Sequence, residues 1–94
     1  MLKPFLLIFN VADGERKNIL DFLDTRHEVQ NWYTFMPTGI IIISDLTAHD
    51  LQKMFLEGFP NRNHLVTEIP FGSNNGWLNK EVWEFINNPK PVGQ

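Results

Sequence analysis

Residues 31–43 read Asn31-Trp32-Tyr33-Thr34-Phe35-Met36-Pro37-Thr38-Gly39-Ile40-Ile41-Ile42-Ile43. The opening five are rich in β-formers, and the four successive isoleucines are β-branched residues that lose rotamer freedom in a helix. Between them, Met36-Pro37-Thr38-Gly39 puts Pro and Gly where a type I turn favours them. The stretch predicts a β-hairpin, and the rest of the chain can be read outward from it.

On the N-terminal side, Pro4-Phe5-Leu6-Leu7-Ile8-Phe9-Asn10-Val11 is a short apolar run ending in turn chemistry at Asp13-Gly14, which predicts a strand apolar on both faces. From Glu15 to about Glu28, the spacing of Ile19, Leu20, Phe22 and Leu23 predicts a helix with one apolar face. Asp13 is its candidate N-cap, and the acid at Glu15 suits the helix dipole. On the C-terminal side, Thr47-Ala48-His49-Asp50 opens a second helix, with Thr47 as cap and Asp50 in the acidic place of a capping box. Leu51, Met54 and Phe55 form its inner stripe, and Gly58 is read as its stop. Asn61-Arg62-Asn63 is a turn, and Leu65-Val66-Thr67-Glu68-Ile69 a fourth strand. After the loop Gly72–Gly76, a last helix starts at Asn79 and carries Val82, Trp83, Phe85 and Ile86 until Pro89 and Pro91 end it.

The order is strand, helix, strand, strand, helix, strand, with one helix appended. That is the split βαβ pattern of the ferredoxin-like fold: a single α+β domain over residues 1–94, with an antiparallel sheet of order 4-1-3-2. Both main helices are expected on one face of that sheet. A chain of 94 residues has room for one core, and eight Phe, three Trp and one Tyr supply it with large apolar side chains.

The two strands expected at the sheet centre do not alternate apolar with polar. A sheet face that meets water normally does, so something should cover the face away from the helices. Leaving four or five large apolar side chains wet forgoes several kcal/mol at about 25 cal/mol per Å². The last helix is short, and a twofold contact with a second copy is the common solution. The expected homodimer surface takes alternate members of the two strands, Phe5, Leu7, Phe9, Ile41 and Ile43, with Trp32 or Tyr33 beside them. Those last two are adjacent on a strand, so only one can lie beneath the helices.

The net charge is −3, from 8 basic and 11 acidic residues, and no basic run exceeds Arg16-Lys17. This argues against a domain built to grip a nucleic-acid backbone. There are no cysteines, hence neither disulfides nor thiolate metal sites. The apolar run Phe5–Phe9 is too short for a signal peptide, and nothing approaches the roughly 20 apolar residues of a membrane span. A cytoplasmic location follows by default. His27, His49 and His64 lie in separate elements without ligand spacing. No zinc motif, phosphate loop or serine-nucleophile turn is present, so no metal or cofactor is expected. Asp13 and Asp45 follow the first and third strands. Paired at a sheet edge they would suit Mg²⁺ and phosphodiester chemistry, but turn and capping roles are the simpler reading. Trp32, Tyr33, Trp77 and Trp83 have the faces to stack nucleobases, although the spacing of Trp83 fits a core position.

Several stretches together resemble a group of short bacterial proteins that carry the label SinR family: Phe5–Val11, Asn31-Trp32-Tyr33, Asp45-Leu46-Thr47-Ala48 and Gly76-Trp77-Leu78-Asn79-Lys80-Glu81-Val82-Trp83. In fold that group is similar to the small CRISPR-associated adaptation protein of the Cas-two type and to the virulence-associated protein D ribonucleases. The resemblance implies a ferredoxin-like dimer that meets protein or nucleic acid. In those relatives an Asp ends the first strand and serves metal-dependent nuclease activity. Asn10 stands at that position here, without the charge a divalent cation needs. The expected function is a non-catalytic, Cas-two-like homodimeric module. The alternatives are a toxin-like metal-dependent endoribonuclease using Asp13 or Asp45, and a phage or mobile-element protein that binds and inhibits a host enzyme.

Overall fold

The β-formers of residues 31–43 do make a hairpin, and the other strands assemble against it in a computed structural model that describes residues 1–10 and 15–93. The elements are β1 (Lys3–Phe9), α1 (Glu15–Asp24), β2 (Asn31–Met36), β3 (Gly39–Ser44), α2 (Ala48–Gly58), β4 (His64–Glu68) and α3 (Lys80–Asn87). The chain is thus α+β, with a four-stranded sheet in the order β2-β3-β1-β4 and every neighbouring pair antiparallel. Asp13, the proposed cap of α1, lies outside the described residues.

Register and alternation assign the two sheet faces. Leu7 opposes Ile40, Phe5 opposes Ile42, and Ile42 in turn opposes Trp32. Phe5, Leu7, Phe9, Ile40 and Ile42 pack with Ile19 and Leu23 of α1 and with Leu51, Met54 and Phe55 of α2 in one core. One residue along, Leu6 opposes Ile41 and Ile41 opposes Tyr33 on the other face. There Ile41 packs with Val82 and Ile86 of α3, and the Phe85 ring tilts against Tyr33 at 5.4 Å. All four isoleucines of β3 are buried. This strand is the sheet's inner beam, which is why a run with no polar alternation is stable there.

Local chemistry sets the start of α2 and the end of α1. The Asp50 N–H donates to Thr47 Oγ1 at 3.1 Å, and the Thr47 N–H donates back to the Asp50 carboxylate at 3.3 Å. The capping box of α2 is therefore closed. The first helix stops at Asp24, short of the Glu28 the spacing predicts. Thr25 Oγ1 donates to the Phe22 carbonyl at 2.7 Å, and the N–H groups of Thr25 and Arg26 turn back onto Phe22 and Leu23. A threonine hydroxyl that takes a backbone carbonyl in this way competes with the helix. Gly58 is the last residue of α2 but does not adopt the left-handed conformation of a glycine stop, since among the described residues only Gly72 and Gly93 have positive φ. What it supplies is space: a Cβ there would lie 2.7 Å from Cε1 of Phe22.

Five polar contacts tie these pieces together. Trp32 Nε1 donates to Asp24 at 2.7 Å, joining β2 to the end of α1. The Arg26 guanidinium holds Glu28 at 3.0 Å and Glu57 of α2 at 2.6 Å. Its hydrogen bond keeps the Glu28 carboxyl below the usual carboxylate range. After α3, the Val92 N–H donates to the Gln30 carbonyl at 2.9 Å, and Asn31 Nδ2 donates to the Lys90 carbonyl at 3.2 Å. The C-terminal segment thereby runs beside the start of β2.

Candidate functional site

The face assignment corrects the choice of Phe5, Leu7 and Phe9 as open-face residues. All three are buried under α1 and α2. A strand apolar on both sides gives no polar partner to mark its outer face, and the alternate set, Leu6 and Ile8, is the one that points away from those helices. Trp32 packs on the α1–α2 core as well, leaving Tyr33 on the second face. Ile41 and Ile43 also belong to that second face, but both are already buried. The short last helix covers more than its length suggested.

What α3 leaves uncovered is a groove between the sheet and residues 74–78. It has two adjoining parts that share Leu6, Phe35, Asn75 and Leu78 as walls. The first, about 250 Å³, runs under α3 beside Ile41, Trp83 and Ile86. The second, about 400 Å³, opens toward Ile8, Met36 and Trp77. Ile8 is 42% exposed, Met36 49%, and Leu65, opposite Ile8 on β4, 58%. Trp77 is 99% exposed, a whole indole held in water on the groove wall.

The loop chemistry explains why that indole stands out. Asn74 Nδ2 donates to the Pro70 carbonyl at 2.8 Å, the Gly76 N–H donates to Asn75 Oδ1 at 2.8 Å, and Gly72 takes a positive φ of 77°. These turns bring Leu78 in against the Ile41 cluster and leave Trp77, its neighbour, pointing the other way. Among the described residues, no wall of the outer part carries a charge: it is lined by apolar side chains, Thr38, Asn75 and two glycines. Trp77 is visible in the sequence as an aromatic outside any strand or helix period. Its role as the exposed rim of an apolar groove depends on a fold that brings residue 77 beside residues 8 and 36.

Among the described residues, the polar candidates Asn10 and Asp45 are not gathered in one place. Asn10 and Asp45 are both exposed, at opposite ends of the sheet: β1 runs from Lys3 to Phe9, and Lys3 pairs with Ser44, the residue before Asp45. At about 3.3 Å per residue the separation is roughly 20 Å. Asp13 lies outside the described residues. Beside Asn10 stands a cation, because the Arg62 guanidinium donates to the Asn10 carbonyl while stacking over Phe59 at 5.7 Å. His64 Nδ1 meets the Arg62 carbonyl at 2.8 Å, which makes Nδ1 the protonated nitrogen and leaves Nε2 to accept from Gln52 Nε2 at 3.4 Å. Its ring also sits 4.8 Å from that of Phe55, so His64 is a packed linker. His27 and His49 are exposed. Among the described residues, no group of three His, Asp or Glu side chains is placed to hold a metal ion, and no helix is long and apolar enough to cross a membrane. Comparison with models of known protein families, with curated proteins and with solved structures gives no match to this chain.

Proposed function

We propose that the chain is a ferredoxin-like, Cas-two-like module that works as a homodimer, by contact and not by chemistry of its own. The observation that carries this reading is the apolar groove on the second sheet face, whose outer part has no charged wall among the described residues, with the fully exposed Trp77 on its wall. Contiguous exposed apolar surface of this kind marks an interaction site, whereas single exposed apolar residues do not.

Two further observations support it. The sheet order, with α1 and α2 packed on one face, is the arrangement the ferredoxin-like reading requires. At Asn10, the position the resemblance assigns to a catalytic Asp, the side chain is a neutral amide, while the backbone carbonyl accepts from the Arg62 guanidinium. A neutral amide lacks the charge that a divalent cation needs. Contact with protein is favoured over contact with nucleic acid, because among the described residues no Lys or Arg lines the groove to meet a phosphate backbone.

Sedimentation of the purified chain at micromolar concentration is the test, and a dimer is expected. A species that stays monomeric throughout sinks the proposal. Incubation with RNA and Mg²⁺ is expected to leave the RNA intact. Cleavage that Asp45→Ala abolishes would return the nuclease reading to first place.

A further inference from the structure

Resting on the homodimer reading, we infer that the occupant of the groove is the Trp77 indole of a second copy, the two copies exchanging this side chain across a twofold axis. The groove as found is then half a site, and the partner supplies the missing wall.

Three observations lead there. The first is adjacency. Trp77 projects from the wall of the same hollow that Leu6, Ile8, Phe35 and Met36 line. A protruding ring and a receiving hollow far apart on one surface make an open, filament-forming contact, whereas an adjacent pair can close on itself by a twofold rotation. The second is charge. Around a twofold axis each residue approaches its own copy, so a charged patch repels itself. Among the described residues the outer hollow has no charged wall, in a chain where 20% of residues are charged and the net charge is −3. An unrelated partner would impose no such neutrality. It would accept, and commonly use, a charge of the opposite sign.

The third is area. The Trp77 ring offers roughly 150–250 Å², and the half-exposed Ile8, Met36 and Leu65 bring the apolar patch to roughly 350 Å² per copy. Homodimer interfaces are about 65% apolar, so two such patches imply on the order of 1,000 Å² in all, the lower bound for a specific contact. The expected dimer is therefore a weak one, forming and dissociating in the micromolar range. Its central aromatic would carry most of the affinity, as buried Trp anchors do.

The experiment is sedimentation of the 94-residue chain from about 1 to 200 µM, with Trp77→Ala and Ile8→Asp beside it and circular dichroism on each. Both positions are exposed in the single chain, so both variants are expected to fold. The expected result is a reversible monomer–dimer equilibrium for the native chain, weakened at least about 30-fold by Trp77→Ala and abolished by Ile8→Asp. The tryptophan emission should also shift to shorter wavelength with concentration in the native chain but not in Trp77→Phe. A native chain that stays monomeric overturns the homodimer reading and this inference with it. A dimer that both variants retain leaves the homodimer standing on another face and overturns the exchange alone. Species that grow without limit overturn the twofold closure. Binding of an oligouridine by monomeric native chain, lost in Trp77→Ala, would assign the ring to base stacking instead.

Discussion

Replacing Gly58 by alanine sets two opposed effects against each other, and the structure says which wins. By helix propensity alone the change should stabilise, since glycine within a helix is about 0.8–1 kcal/mol less favourable than alanine. Gly58 is the last residue of α2 and has no positive φ, so the backbone itself raises no objection. The added Cβ, however, would stand 2.7, 2.9 and 3.0 Å from three ring carbons of Phe22. The ring has little room to yield. Phe59 meets it edge-on at 5.4 Å, and the Arg26 guanidinium lies 5.4 Å from its centre. Overpacking of this sort costs about 1–3 kcal/mol, so the net expectation is destabilisation by about 1 kcal/mol. In a domain of this size that lowers Tm by about 4–8 °C. The assay is thermal and urea unfolding of Gly58→Ala in two backgrounds, native and Phe22→Ala. With the ring gone only the propensity gain remains, so the sign should reverse and the coupling between the sites should exceed about 1 kcal/mol. Equal stabilisation by Gly58→Ala in both backgrounds would refute the reasoning.

The other predictions concern single contacts. Thr47→Ala opens the capping box and should cost about 1 kcal/mol in urea unfolding, while an unchanged midpoint would mean the box adds nothing. Ile41→Ala removes the centre of the cluster under α3 and should cost about 2–5 kcal/mol. Ile8→Ala on the same face, at a half-exposed site, should cost the isolated chain under about 1 kcal/mol. The Glu28 carboxyl is held by Arg26 below its ordinary value of 4.5, so the stability it contributes is complete above that pH and is lost as pH falls through the lower folded value. The urea midpoint should therefore fall more between about pH 6 and pH 3 for the native chain than for Glu28→Gln. Parallel profiles would remove the Arg26–Glu28 bridge from the account.

How much of this was legible in the sequence depended on how local the cause was. The 31–43 hairpin and the Thr47–Asp50 box arise from residues a few positions apart, and both are found where the sequence puts them. The facing of β1 was not legible. Phe5-Leu6-Leu7-Ile8-Phe9 is apolar at every position, so alternation leaves two equal choices, and only the register against β3 decides between them. Gly58 matches the local rule for a helix stop, but what occupies its missing side chain is a ring from the other helix. The exposed groove was the least legible feature. It joins β1, the end of β2 and a loop near residue 77, and no local pattern records that meeting.

The segment after α3 has a consequence for how the chain keeps to itself. An edge strand is a standing template for addition of further strands, and β2 lies at the edge of this sheet. The tail lies along the beginning of that edge through the Val92 N–H and the Lys90 carbonyl. The segment thus shields only the first end of that edge, at Gln30 and Asn31, and Pro89 and Pro91 offer no N–H there to a further strand. Cut back to residue 88, the chain would keep its core but expose the start of β2, and its aggregation on storage should quicken without a matching loss of thermal stability.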